Sequence, residues 1–223
     1  MAGGVGRRAG DELPKQFHKL LGIPMLWWSV KAFYEEDPNT EITIVMHPDF
    51  HDLYHKLLTE LPESIQKIDV KICSGGQTRG ESVSNGLKSI DEPSVSLIAI
   101  HDAARPIIDI EMIRRGWESA RRHKAAIPVV PVTDSLREKS GEGSIAVDRN
   151  RFYAVQTPQI FGLKFLKQAY QEAINFEFTD DASLVEAQGS KVHLYEGSPV
   201  NIKVTNPMDF KIAETLLAEK SIK

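Results

Sequence analysis

Val95-Ser96-Leu97-Ile98-Ala99-Ile100, running into His101-Asp102-Ala103-Ala104-Arg105-Pro106, is the stretch on which the fold reading turns. Its first six residues are a short, near-continuous apolar run, the pattern of a strand covered on both faces rather than of one facing water. The polar cluster that follows then emerges at the carboxyl end of that strand. Outward from it, strands and helices alternate. Upstream lie a helix from Pro24 through Phe33, a strand over Ile42 to Met46, a helix over Phe50 to Leu61, a strand over Val70 to Ile72 and a helix over Glu81 to Ile90. Downstream lie a helix over Glu111 to His123 and a strand over Ala126 to Val130. The alternation predicts an α/β three-layer arrangement with a mostly parallel sheet and ligands at the carboxyl ends of its strands.

Between Val132 and Asp148 the pattern changes to charged sequence around Lys139-Ser140-Gly141-Glu142-Gly143, which reads as a hairpin arm leaving the sheet at about residues 132–150 or as an ordinary surface hairpin. A strand over Phe152 to Val155, helices over Leu163 to Asn175 and near Ala182 to Gln188, a strand over Lys191 to Tyr195 and a last helix from Pro207 complete one domain over residues 1–223. The first glycine-rich segment has only Met1 before it. A phosphate loop ordinarily follows a buried strand, so the reading favours such a strand lying upstream of residue 1.

Composition narrows the function. With 27 Lys and Arg against 31 Asp and Glu, the net charge of −4 argues against broad nucleic-acid binding and requires a local basic cluster for any anionic ligand. A single cysteine, Cys73, offers neither an intrachain disulfide nor a cysteine zinc site and reads as a core thiol at a strand end, in keeping with a reducing compartment. No apolar run approaches the roughly 20 residues of a membrane span. The expected location is the cytoplasm.

Four clusters carry chemistry. Ala2-Gly3-Gly4-Val5-Gly6-Arg7-Arg8 with Pro14-Lys15 joins glycines able to form an anion nest to cations, Arg8 and Lys15, able to neutralise a triphosphate. It matches neither the P-loop nor the dinucleotide pattern. Gly75-Gly76-Gln77-Thr78-Arg79, before Ser82, suits a base or ribose, or is a plain strand-to-helix turn. Asp102 suits Mg²⁺ or a substrate hydroxyl and Arg105 suits phosphate, against a structural Asp–Arg pair; His101 reads as a packing residue. Lys203, on a short extended piece before the last helix, can face the same pocket, while Thr179 reads as the N-cap of a helix.

Taken together and in order, these stretches resemble the 2-C-methyl-D-erythritol 4-phosphate cytidylyltransferases. The matching pieces include Ala2-Gly3-Gly4, Pro14-Lys15-Gln16-Phe17, Gly75-Gly76 with Arg79 and Ser82-Val83, His101 to Pro106, Asp134-Ser135, Gln156-Thr157-Pro158-Gln159, Thr179 to Ser183 and Asn201 to Thr205, spread over the whole chain. Ser135 and Ala9 depart from the usual Thr and Met. The resemblance implies a Rossmann-like nucleotidyltransferase sheet, Mg²⁺ as cofactor, CTP and a sugar-alcohol phosphate as substrates, and a homodimer whose arms complete each other's sites. By motif, Arg8 and Lys15 stabilise the transition state, and Arg149 and Lys203 position the methylerythritol phosphate. Asp102, Arg105, Ser135 and Thr157 line its pocket, and Ala2, Gly3, Gly4, Gly76, Gln77, Ser82 and Ala103 hold the nucleotide. A ribitol-5-phosphate cytidylyltransferase is the nearest rival, disfavoured by the His101 to Pro106 and Thr179 to Ser183 stretches. A non-catalytic CTP sensor is disfavoured by the joint presence of Arg8, Lys15, Asp102 and Lys203.

Overall fold

A computed structural model of the chain describes residues 1–4, 13–90 and 95–221. Arg8 and Ala9 lie outside the described residues. In chain order the strands are β1 (Lys19–Leu20), β2 (Ile23–Pro24), β3 (Ile42–Met46), β4 (Val70–Ser74), β5 (Leu97–Ile100), β6 (Ala125–Pro131), β7 (Leu136–Ser140), β8 (Gly143–Val147), β9 (Tyr153–Val155), β10 (Gln159–Gly162) and β11 (His193–Glu196). The α-helices are α1 (Met25–Glu36), α2 (His51–Leu58), α3 (Glu63–Gln66), α4 (Arg79–Lys88), α5 (Ile110–His123), α6 (Leu163–Glu172), α7 (Asp181–Ala187) and α8 (Pro207–Ser221).

The central sheet runs β11-β6-β10-β5, with β9 beside β6. Strand β6 shows why it is buried on both faces. Ala125, Ile127 and Val129 pack with Phe161, Leu166 and Val185 toward α6 and α7, while Ala126 packs with Ile160, Met112 and Ile113 toward α5. This period-two division between two apolar layers makes the three-layer stack, because each side of the pleat must be covered by its own helices.

The sheet is less parallel than the alternation predicts. β6 pairs with β11 and β3 with β4 in parallel, but β10 is antiparallel to both β5 and β6, and β9 is antiparallel to β6. The arm explains the difference. Leu136–Ser140 and Gly143–Val147 form an antiparallel hairpin, so the chain leaves β6, reverses, and returns alongside it with no crossover helix. A strand arriving that way has to run backwards. β10 itself is absent from the sequence reading, because Gln159-Ile160-Phe161-Gly162 follows Pro158 directly and is too short to give a period.

Two other expectations change. Cys73 is only partly buried within β4, since that strand lies at the sheet margin with β3 as its one described partner. The N-cap of α7 is Asp180 rather than Thr179: the Asp180 carboxylate accepts the Ser183 backbone N–H at 2.9 Å.

Met1 and Ala2 lie between the two halves of the fold. Ala2 donates its N–H to the Val45 carbonyl at 2.7 Å and bridges Met46 in parallel, while Ala103 donates to the Met1 carbonyl at 3.0 Å. Beneath them the facing edges of β3 and β5, with Val83, Leu87 and Trp117, line a cavity of about 650 Å³.

Phe161 of β10 is wholly buried against the α6–α7 layer. Phe161→Ala is expected to lower stability by about 3–5 kcal/mol in urea unfolding, as for other aromatic deletions from a core. A loss of less than ~1 kcal/mol would show that β10 is not a central strand.

Candidate active site

The polar residues converge where β5, the 201–205 segment and the start of α4 meet. Asp102 leaves the end of β5 and is mostly buried, 13% exposed, with Lys203 Nζ donating to its Oδ2 at 2.7 Å and Arg79 Nε 3.8 Å from Oδ1. Burial pushes its carboxyl pKa up, but Lys203 and Arg79 outweigh that and hold it far below the usual carboxylate range. Asp102 is therefore a fixed anion between two cations.

Lys15 belongs to the same site. Its Nζ donates to the Val204 carbonyl at 3.0 Å, one residue from Lys203, and Val204 N–H in turn donates to Ala104 at 2.8 Å. The two lysines thus meet on one extended segment, although 188 residues separate them in sequence. The segment is held by Asn201, fully buried, whose Nδ2 donates to the Thr157 carbonyl at 2.9 Å. Arg105 is spent on the same frame. Its two terminal nitrogens donate to the carbonyls of Asn201 at 2.8 Å and Val155 at 3.3 Å, so it braces the pocket wall, while its buried Nε has no hydrogen-bond partner.

His101 and Thr157 form a directed chain. Burial drives the imidazole pKa down to about 4, so the ring is neutral at pH 7. Its Nε2 faces the Arg105 carbonyl at 3.1 Å, which can only accept, so the proton sits there and Nδ1 accepts from the Thr157 hydroxyl at 3.0 Å. The same hydroxyl accepts the Asp102 N–H at 3.1 Å. His101 and Thr157 therefore set the backbone of Asp102, in agreement with the packing role read for His101.

The two glycine segments meet at Ser82. Its hydroxyl accepts the Gly76 N–H at 3.0 Å, donates to the Thr78 carbonyl at 2.9 Å, and stands where a Cβ on Gly3 would come to 3.0 Å. Ser82 is buried and shapes the loop from inside. A Cβ on Gly76 would fall 2.4 Å from that of Glu81, whose carboxylate accepts the Gln77 N–H at 2.7 Å in a Thr78–Glu81 capping box, so only glycine fits. Gln16, missed as a site residue, fixes the first segment: its Nε2 donates to the carbonyls of Ala2 at 2.8 Å and Gly4 at 3.0 Å. Ala103 completes the rim beside Met1.

Ser135 and Arg149 are not brought to this cluster. Both line an open hollow of about 510 Å³ at the base of the arm, where the Arg149 guanidinium donates to the Thr133 carbonyl.

Residues 1–219 of the 223 match the family model described as 2-C-methyl-D-erythritol 4-phosphate cytidylyltransferase. The chain belongs to that family. It is 43% identical over 217 residues to the enzyme of that name from Bacteroides thetaiotaomicron, covering 97% of each protein. Its fold matches the crystal structure of the Thermus thermophilus enzyme with a TM-score of 0.77 at 34% identity, covering 92% of this chain and 94% of that one. It also matches the 4-diphosphocytidyl-2C-methyl-D-erythritol synthase of Anaerococcus prevotii with a TM-score of 0.82 at 26% identity, covering 97% and 93%.

The residues of this site missed in the sequence are Gln16, Arg79 and Asn201, all three inside the quoted motifs. Their signal is a polar side chain with no place on a solvated face, which single-sequence reading cannot separate from a surface residue.

The buried imidazole makes stability depend on pH. The unfolded chain protonates His101 near pH ~6.5 and the folded one only near 4, so its contribution is complete above ~6.5 and is lost as pH falls toward 4, at up to about 1.4 kcal/mol per pH unit. Urea unfolding of the wild type and His101→Gln from pH 7 to pH 4 should show a steeper loss of stability in the wild type, since the Met1 amino group and Asp102 contribute to both. Equal slopes would mean the imidazole is solvated.

Proposed function

We propose that this protein transfers CMP from CTP to 2-C-methyl-D-erythritol 4-phosphate, releasing pyrophosphate and forming 4-diphosphocytidyl-2-C-methyl-D-erythritol. The observation that carries the reading is the convergence of Lys15, Lys203 and Asp102 on one segment beside the two glycine segments. In that arrangement an anionic nucleotide lies over backbone N–H groups and Lys15, and a second phosphate reaches Lys203. An oxygen of the sugar phosphate attacks the α-phosphorus of CTP in line. A new P–O bond forms, the bond from the α-phosphorus to the bridging oxygen breaks, and pyrophosphate departs with that electron pair. The attacking phosphate is already ionised at neutral pH, so no general base is needed, and the neutral, inward-directed His101 is consistent with this. Ordering and charge neutralisation by the chain's own residues supply the rate. Arg8 joins Lys15 at the triphosphate in this reading.

The expected cofactor is Mg²⁺. Among the described residues no cluster of three or more His, Cys, Asp or Glu could hold a metal, and both Asp102 oxygens already face cations. This donor set fits an ion carried mainly on phosphate oxygens and water, as Mg²⁺ prefers, rather than a protein cage with Asp102 as ligand. When bound it neutralises phosphate charge.

We further propose that the active unit is a homodimer in the cytoplasm. Arg149 and Ser135 sit on the arm, apart from the cluster they would serve, and exposed Ile145, Phe152, Tyr153 and Val155 lie on and beside that arm. A symmetric pair places each arm on the other subunit's pocket. No described helix is long and apolar enough to cross a membrane.

Pyrophosphate release from CTP and Mg²⁺ with 2-C-methyl-D-erythritol 4-phosphate, and none with ribitol 5-phosphate, is the expected result. The reverse preference would replace the reading with its rival. Lys203→Ala should raise KM for the sugar phosphate by about 10-fold or more while sparing KM for CTP, because a charge-assisted contact contributes on the order of 1.5–3 kcal/mol. Mixing inactive Lys15→Ala and Arg149→Ala chains should restore turnover through heterodimers with one intact site. No recovery, once heterodimers are verified, would place Arg149 in its own subunit's site.

A further inference from the structure

Arg79 and Asp181 take no part in the chemistry derived above, yet they form the most deeply buried ion pair among the described residues. Asp181, at the start of α7, is 0% exposed. Arg79 Nη2 donates to its Oδ2 at 2.6 Å, and the Tyr170 hydroxyl donates to its Oδ1 at 2.6 Å. Gln159 fixes the backbone from the other side, its Oε1 accepting the N–H groups of Asp181 at 3.1 Å and Ala182 at 3.0 Å. Burial of Arg79 opposes its charge, but Asp181 and Asp102 more than compensate and hold it cationic; burial and the Asp181 charge keep Tyr170 protonated.

A buried ion pair is a weak source of stability, since apolar residues of the same volume do as well without the desolvation cost. What this pair does supply is direction. Arg79 opens α4 immediately after the Gly75–Thr78 loop, and its Nε edge faces Asp102, the carboxylate that holds Lys203. Tyr170, Asp181, Arg79, Asp102 and Lys203 thus form one row of alternating partners from α6 to the pocket.

We propose that Asp181 and Arg79 are positioning residues, in which Asp181 clamps the guanidinium so that it holds Asp102, and through it Lys203, in register with the nucleotide loop. Without the clamp, Arg79 is free to swing onto Asp102 and compete with Lys203 for it, which loosens the sugar-phosphate pocket and leaves the nucleotide loop intact. Tyr170 limits the rotation of Asp181. The proposal rests on the cytidylyl transfer inferred above only for its kinetic readout.

The test is steady-state kinetics of Asp181→Asn, Tyr170→Phe, Arg79→Gln and the Arg79→Gln/Asp181→Asn pair, together with NMR of the Arg79 Nε–H in labelled protein. Asp181→Asn is expected to lower kcat/KM for the sugar phosphate by about 10-fold or more and to change KM for CTP by less than ~2-fold, with Tyr170→Phe milder in the same direction. The double variant should be no worse than Arg79→Gln, because Asp181 acts through Arg79. In the wild type the Nε–H signal should be single and protected, and Asp181→Asn should shift or broaden it. Losses that multiply in the double variant overturn the proposal, as does a lowered Tm with unchanged turnover per folded molecule. If Asp181→Asn does not fold, Tyr170→Phe decides by the same kinetics. Wild-type protein inert with every sugar phosphate would count against the functional reading, and an Nε–H signal indifferent to Tyr170→Phe and Asp181→Asn would count against the clamp whatever the activity.

Discussion

The site depends on Asp102 being an anion with two cations on it. Lys203 and Arg79 come from segments far apart in the chain, and the carboxylate at the end of β5 is the point where they are reconciled. Its position is set by the backbone beneath it, where Thr157 receives the Asp102 N–H and hands its own proton to a neutral His101. An anion held this way offsets the charge of the lysine and still leaves its ammonium with protons to donate. Lys203 is about half exposed, 45%, so solvent screens the pair and the gain from it is small. Its value lies in placing a charge rather than in holding the fold together.

The fold makes that placement possible by bringing three kinds of element to one sheet edge. Strand β5 carries Asp102, the turn before α4 carries the second glycine segment, and the extended 201–205 segment carries Lys203 and receives Lys15. Asn201 ties this last segment to Thr157, and Arg105 ties it to Val155, so β5, the 156–157 turn and the pre-α8 segment move as one body. The polar atoms used in this bracing are mostly backbone carbonyls. A ligand is then met by few side chains, each already oriented, which lowers the ordering cost of binding.

Much of this was legible in the sequence, and the reasons differ by element. Strands β3, β5 and β6 announce themselves as apolar β-branched runs, and the helices between them by their apolar period, although the Thr78–Glu81 cap that starts α4 two residues before the expected Glu81 was not read. Asp102 stands out at the carboxyl end of the most apolar strand, Lys15 beside the glycine-rich segment, and Lys203 on the short extended piece before the last helix. β10 was not legible. Four residues behind a proline carry no period, and the direction of the strand follows from the hairpin arm, a non-local fact. Arg79 with Asp181 was hidden for a related reason: the partners are 102 residues apart, and each alone reads as a helix-end charge. That Arg105 also braces the carbonyls of Asn201 and Val155 was hidden in the same way, because those partners lie 96 and 50 residues away.

Whether Asp102, held between Lys203 and Arg79, aligns cations as proposed or ligates the metal is open to direct measurement. The comparison is the Mg²⁺ dependence and the sugar-phosphate KM of Asp102→Asn beside the wild type, in the pyrophosphate assay. The predicted result is an unchanged half-saturating Mg²⁺ concentration, within about 2-fold, with KM for the sugar phosphate raised by about 10-fold or more. A half-saturating Mg²⁺ concentration raised by about 10-fold with an unaltered sugar-phosphate KM would make Asp102 a metal ligand and contradict that alignment.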